Sequence, residues 1–244
     1  MDLGLDGCGA LVLGASQGMG LAIAEGLVAE GAHVVAAARR TDVLEREAAR
    51  VGAIAVTADI TDADARAALV ERTLAELGRL DVLVLNGGGP APGPAVGTQA
   101  DAARAAVELL LVPHVHLVEL CLPHLRASGR GRIVAIQSTS IREPIPNLAL
   151  SNAVRPGVVG WLKTLAREVA ADGITVNTIA PGRIGTERLR AVYGEAGPPL
   201  GDVPAGRVGT PAEIAAVACF LASTGASYLT GAVVPVDGGL LRGL

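Results

Sequence analysis

An α/β fold built on one doubly wound parallel sheet is what this sequence predicts, and three observations predict it. Segments of strand character alternate with segments of helical periodicity along the whole chain, with no linker rich in Pro, Ser or charge between them. Runs such as Val82-Leu83-Val84-Leu85 are continuously apolar, as parallel strands buried on both faces require. The apolar run over residues 10–13 breaks on Gly14, Gly18 and Gly20 and passes directly into a helical pattern of Leu21, Ile23, Ala24, Leu27 and Val28. A length of 244 residues with 50% hydrophobic and 18% charged side chains supplies core enough for one such domain, covering residues 1–244.

The elements follow in order. After the first helix, Gly31 marks a stop and His33–Ala38 reads as a second strand, ending at Arg39-Arg40. Residues 41–50 form a short helix and residues 53–57 a third strand that stops at Asp59. Residues 61–77 are amphipathic, with Thr61 expected as the N-cap. Val82–Leu85 is the fourth strand and runs into Asn86-Gly87-Gly88-Gly89-Pro90; residues 90–97 read as an irregular loop. Residues 101–126 form one long helix, kinked where Pro113 cannot bond back to the Leu109 carbonyl. Residues 133–137 are the fifth strand, residues 147–171 hold a helix turned by Asp172-Gly173, and residues 174–179 are the sixth strand. Residues 185–206 are rich in Gly and Pro with little periodicity and read as a flap over a ligand. A helix over residues 211–221 starts on Pro211, and Val233–Val236 is the last of about seven strands.

Composition excludes several functions. The net charge is −4 and no basic tract occurs, which argues against nucleic acid. The three cysteines, Cys8, Cys121 and Cys219, make no C-x-x-C pair, so neither a disulfide framework nor a metal site is indicated. The first residues lack the basic and apolar regions of a leader, and no apolar stretch reaches about 18 residues, so a soluble cytoplasmic chain with no membrane partner is expected. One lysine, Lys163, among 20 basic residues fits a GC-rich coding sequence.

Chemistry enters at the glycine turn. A strand that turns on glycines into a helix points backbone N–H groups and the positive end of the helix dipole at one spot, which cradles a pyrophosphate. Gly14 allows the tight turn, Gly18 the approach of phosphate, and Gly20 the packing of helix on strand, although the spacing G-x-x-x-G-x-G differs from G-x-G-x-x-G. The second strand ends at Ala38 without the carboxylate that would bond the 2′-hydroxyl of NAD. Arg39 and Arg40 follow it, and guanidinium prefers phosphate, so NADP(H) is favoured over NAD(H). The glycines after Asn86 leave a flat floor for a stacked ring.

These pieces together resemble the short-chain dehydrogenase/reductase family over essentially the whole chain, and the resemblance implies a Rossmann-type sheet. Gly14-Ala15-Ser16-Gln17-Gly18-Met19-Gly20 is similar to the family's G-A-S-x-G-I-G cofactor turn, Asp59-Ile60 to the residues at the adenine, and Asn86-Gly87-Gly88 to its N-A-G. Gly131-Arg132-Ile133-Val134 precedes the strand that carries the family's serine, here Ser138. Residues 174–182, ending in Pro181-Gly182, with Ile184 and Thr186 beyond, are similar to the segment at the nicotinamide. Thr230-Gly231 and Val236-Asp237-Gly238-Gly239 are similar to the C-terminal signature.

The departures fall on the chemistry. The family uses a Ser, a Tyr-x-x-x-Lys pair and an Asn on the long helix. The register from Ser138 puts Ser151 at the tyrosine, Arg155 at the lysine and about Leu110 at the asparagine. Ser151 is a far weaker acid than a phenol. Arg155, at i+4 from Ser151, keeps a fixed charge that can bond ribose hydroxyls and stabilise an oxyanion, but with a pKa above about 12 it shuttles no proton. His114, one turn beyond Leu110, is a candidate substitute acid that would project toward the same cavity, weighed against a helix-face or subunit-contact histidine, the reading favoured for it. His116 and His124 are weaker candidates, Arg142 and Glu143 could bind a polar substrate or each other, and Tyr193 could enter with the flap. Three functions follow. The first is an NADP(H)-dependent oxidoreductase of a small carbonyl or alcohol substrate, with altered proton delivery. The second is an isomerase, dehydratase or cyclase on the same scaffold, and the third a silent NADP-binding subunit. The resemblance also implies a homo-oligomer, a dimer or tetramer, with Leu117, Leu120, Val158, Trp161 and Leu165 facing either a subunit or their own sheet.

Overall fold

The computed structural model describes residues 2–243; Met1, part of the stretch read for a leader, lies outside them. Seven strands form one parallel sheet: β1 (Gly9–Leu13), β2 (His33–Ala38), β3 (Ile54–Thr57), β4 (Val82–Leu85), β5 (Arg132–Ile136), β6 (Thr175–Pro181) and β7 (Val233–Val236), in spatial order β3-β2-β1-β4-β5-β6-β7. The chain runs outward from β1 to β3, then returns across β1 to β4. That reversal leaves a crevice at the carboxyl ends of β1 and β4, the place where parallel sheets of this kind bind ligands. Register fixes it: Leu13 pairs with Ala37 and Val12 with Val84, so the residues that follow β1, β2 and β4 emerge side by side.

Alternation along β1 shows why both faces must be covered. Ala10 and Val12 pack into one apolar cluster with Ile23, Ala24 and Leu27 of α1 (Gly18–Ala29), Leu44 of α2 (Thr41–Val51) and Ile214 and Ala218 of α8 (Pro211–Ala222). Leu11 and Leu13 face the opposite cluster, with Leu69 of α3 (Ala63–Leu77), Leu117 and Leu125 of α5 (Val112–Ser128), and Val158 and Leu162 of α6 (Ala149–Val169). Each fully buried Leu contributes about 1.5–3 kcal/mol.

Several sequence expectations are corrected. The cap of α3 is Asp62, whose carboxylate accepts from the N–H groups of Asp64 and Ala65; Thr61 instead donates to Asp59 from its N–H and its hydroxyl. The long helix is two helices, α4 (Ala100–Leu110) and α5, which part at Leu111. Pro113 falls in the first turn of α5, where a missing N–H is tolerated, so the chain breaks two residues ahead of it rather than kinking through it. Ala100–Ser128 is nonetheless apolar and long enough by composition to cross a membrane, against the expectation that no stretch is; its buried side chains, Leu117, Cys121 and Leu125 among them, pack on the sheet. The stretch 185–206 holds α7 (Glu187–Tyr193), capped by the Thr186 hydroxyl, so it is not aperiodic throughout. Leu117, Val158 and Leu165 are buried in their own core, and Leu120 and Trp161 pack against it. Of the two placements open to these five, their own sheet accounts for their burial.

Candidate active site

The crevice is a cleft of about 780 Å³ at the carboxyl ends of the strands. Its floor is the turn after β1. Gly14 and Gly18 sit at φ +62° and +57°, conformations that glycine adopts without strain. A side-chain carbon at Gly20 would lie 2.3 Å from the Gly14 carbonyl oxygen, so α1 starts with its backbone against the turn. Asn86 braces this arrangement. Its Nδ2 donates to the carbonyls of Leu13 (3.0 Å) and Gly14 (3.4 Å), tying the end of β4 to the end of β1. The start of α7 closes over the turn: a side-chain carbon at Gly18 would meet Thr186 Cγ2 at 3.3 Å.

The floor fits a dinucleotide. Ser16, Gln17, Gly18 and Met19 line the cleft at the amino end of α1, where unpaired backbone N–H groups and the helix dipole favour phosphate. Gly20 lies one residue inside and is the packing position. Arg39 and Arg40, after β2, line the same cleft with Asp59 and Ile60 after β3. Arg39 approaches Asp59 at 4.0 Å with its side chain 69% exposed, a loose contact, and Arg40 donates to Gln17 Oε1. Gly87, Gly88 and Gly89 after β4, Pro181 at the end of β6, and Gly182, Ile184 and Thr186 beyond it complete the wall.

At the far end stands the group that the sequence placed at the catalytic positions. Ser138, Ser151 and Arg155 all line the cleft. Ser138 follows β5 in an extended conformation; its oxygen accepts from the Ser140 N–H at 3.1 Å, which leaves its own proton free. Ser151 and Arg155 lie one turn apart on α6, and Arg155 Nε donates to Ser151 Oγ at 3.0 Å. Arg155 Nη1 donates to Gln137 Oε1 at 3.1 Å and Nη2 to the Gly88 carbonyl at 3.4 Å. Burial, and secondly the charge of Arg188, bring the Arg155 pKa down to about 10, below the range expected of it but still protonated at neutral pH.

His114 does not stand on the cleft wall. It is 3% exposed and its Nδ1 has no hydrogen-bond partner. Burial, with the Arg155 charge second, holds its pKa down at about 4, so the expectation of a near-neutral acid there is corrected. The reference residue is the physical reason: Leu110 is itself buried and off the cleft wall, so a residue one turn beyond it is buried with it. Leu109, not Leu110, reaches the cleft. His116 accepts from Arg66 Nε at 2.8 Å and is a structural partner. Glu143 and Tyr193 do line the cleft, whereas Tyr228 is fully exposed on the surface. Among the described residues no cluster of His, Cys, Asp or Glu could hold a metal. Sequence reasoning missed Gln137 and Arg188. A polar residue closing an otherwise apolar strand was the legible signal for Gln137; Arg188, inside the expected flap, gave none.

A glycine cradle at a strand-order reversal, with hydroxyls and a guanidinium beyond it, is the ligand site of a doubly wound α/β fold. The comparisons give the family. Residues 14–241 match the family described as Enoyl-(Acyl carrier protein) reductase. The chain is 38% identical over 237 residues to the 3-oxoacyl-[acyl-carrier-protein] reductase FabG of Salmonella typhimurium, covering 95% of this chain and 96% of that protein. It is 36% identical over 234 residues to the 3-oxoacyl-[acyl-carrier-protein] reductase MabA of Mycobacterium tuberculosis, covering 96% and 92%. The L-sorbose reductase of Gluconobacter frateurii, solved with NADPH and L-sorbose, superposes with a TM-score of 0.92 over 100% of both chains at 32% identity. The chain belongs to the short-chain dehydrogenase/reductase family of oxidoreductases.

Proposed function

We propose that the protein is an NADP(H)-dependent oxidoreductase acting on a small carbonyl or alcohol substrate, without a tyrosine acid at its centre. The observation that carries this is the bond between Arg155 and Ser151 on the wall of the cleft whose other end is the glycine cradle. When bound, the coenzyme would supply hydride. Ser16, Gln17 and the N–H groups at Gly18 and Met19 would hold its pyrophosphate. Arg39 and Arg40 would hold a 2′-phosphate, since no carboxylate ends β2 and neither guanidinium has a firm acid partner. Asn86 would act one step back by keeping the cradle in shape. Two solved relatives support this choice: YwfH, described as an NADPH-dependent reductase, and the L-sorbose reductase, solved with NADPH.

The chain's own residues then work on the substrate oxygen. Ser138 donates its free proton in a hydrogen bond to a carbonyl oxygen. Arg155, charged at neutral pH, stabilises the negative charge that grows there. Neither gives up a proton, so the proton that completes an alcohol comes from water. Loss of a dedicated general acid is worth about 10² to 10⁴ in rate, which leaves a slow enzyme rather than a silent one. The homo-oligomeric state implied by the family resemblance is part of the proposal, and light scattering of the purified chain measures it. The functional test is to follow NADPH absorbance with a panel of small carbonyl compounds. Consumption with matched alcohol formation supports the reading. Bound NADPH with no consumption at any pH overturns it.

A further inference from the structure

Two guanidiniums meet in the cleft with no acid between them among the described residues. A side-chain carbon placed at Gly89 would lie 3.1 Å from Arg188 Nη2 and 3.4 Å from Arg155 Nη2, so both arginines, one from α7 and one from α6, reach the same point of the wall. Among the described residues neither forms an ion pair. Arg188 Nη2 donates to the Pro90 carbonyl at 2.7 Å, and Arg155 bonds only neutral oxygens, on Ser151, Gln137 and Gly88. Each guanidinium has five N–H donors, so two on Arg155 and four on Arg188 remain unspent. The three acids of the cleft wall are engaged elsewhere: Asp202 with Arg183, Asp59 with Thr61, and Glu143 with the Arg242 N–H. Gln137, 5% exposed on the same wall, keeps an Nε2 without an acceptor. Like charges brought together away from water destabilise each other unless an anion joins them. Burial lowers the pKa of both, and Arg188 further lowers that of Arg155; no protein carboxylate raises either.

We propose that Arg155 and Arg188 form a carboxylate clamp, and that the substrate is an oxo acid or its hydroxy acid, with the carboxylate held between the two guanidiniums beside the reacting carbonyl. This rests on the proposed oxidoreductase reading and names its substrate class. A carboxylate presents two oxygens to two donors set at an angle, which suits the fork geometry of arginine. The absence of a side chain at Gly89 leaves the space between them open. Arg155 then faces two ways: Nε and Nη1 are fixed by Ser151 and Gln137, while Nη2 looks toward Arg188.

The test titrates the NADP⁺-loaded protein calorimetrically with 2-oxobutanoate and 3-oxobutanoate and with the matching amides. Coenzyme and ligands are all oxidised, so nothing turns over. The clamp predicts that an oxo acid binds tighter than its amide by about tenfold or more, as a charge-assisted pair provides. It predicts that Arg188→Gln reduces this preference to within about threefold, and that Arg188→Lys restores part of it. Thermal melts confirm that both variants are folded. Equal binding of acids and amides to the wild type, or binding of neither, overturns the clamp. So does a preference retained in Arg188→Gln alongside weakened NADP⁺, which assigns the arginines to coenzyme phosphates. The titration is repeated without coenzyme, so that failure to bind NADP⁺ counts against the oxidoreductase reading while the preference for acids is still measured.

Discussion

Arg155 Nε lies 3.0 Å from Ser151 Oγ, one helical turn away on α6, and both are buried at the wall of the cleft. The hydroxyl oxygen is used as an acceptor, so Ser151 aims the guanidinium as much as it serves the substrate. In the proposed reading the pair stands in for an acid and its activator, as a fixed cation and its support.

Substitution of this pair follows. Arg155→Met keeps the bulk and removes the charge, and turnover is expected to fall about 10²- to 10³-fold, the value of an oxyanion-stabilising donor. Stability is expected to hold or rise, because the buried cation has no acid partner and faces Arg188. Ser151→Ala loses only the aim of the guanidinium, for a fall of about tenfold. Steady-state kinetics with thermal melts of both variants check this; a Ser151→Ala enzyme weaker than Arg155→Met would show that the hydroxyl carries the chemistry.

Coenzyme preference is expected to sit in Arg39 and Arg40. The double variant Arg39→Ala/Arg40→Ala should lose about tenfold or more in NADPH affinity and change little toward NADH. Fluorescence titration with each coenzyme measures it. An equal loss for both would place these side chains outside the 2′-phosphate pocket.

Gly20→Ala drives a carbon to 2.3 Å from the Gly14 carbonyl oxygen and 2.6 Å from Asn86 Nδ2. The turn and the amino end of α1 must separate. A loss of about 2–4 kcal/mol in stability, with coenzyme binding abolished, is expected. Denaturant melts and calorimetry on one preparation report the two effects.

His114 gives a pH signature. Its pKa is about 4 in the folded chain against an ordinary 6.5, so the folded state resists the proton that the unfolded chain takes up. The stability it contributes is present above pH 6.5 and lost as pH falls toward 4, by about 3 kcal/mol in all. His114→Leu should flatten that part of the curve, read as the difference in denaturant midpoints between about pH 7 and about pH 4.5. Activity near neutral pH should not acquire or lose an ionisation with this change.

Much of this was legible before any coordinates. Strand positions came through because buried parallel strands are apolar without interruption, as Val82–Leu85 is. The cradle came through because glycines at a strand-to-helix turn have few other uses. Ser138, Ser151 and Arg155 were placed by register from one motif, and all three line the cleft. What failed depended on local placement that pattern alone does not fix. Thr61 and Asp62 are both good caps, and only the actual start of α3 chooses between them. His114 was projected from Leu110, which is itself buried and off the cleft wall, where Leu109 stands. Arg188 lies in a short helix whose seven residues carry too little periodicity to be seen, so its meeting with Arg155 at Gly89 needed the fold itself.

The central claim is hydride transfer in a cleft without a tyrosine acid. The most direct measurement is mass spectrometry of the product formed from NADPH carrying deuterium at the transferring position of the nicotinamide. One deuterium on the former carbonyl carbon is predicted, in an amount matching the coenzyme oxidised, and retained in Tyr193→Phe. An unlabelled product formed with the coenzyme unconsumed would contradict the account and return the scaffold to non-redox chemistry.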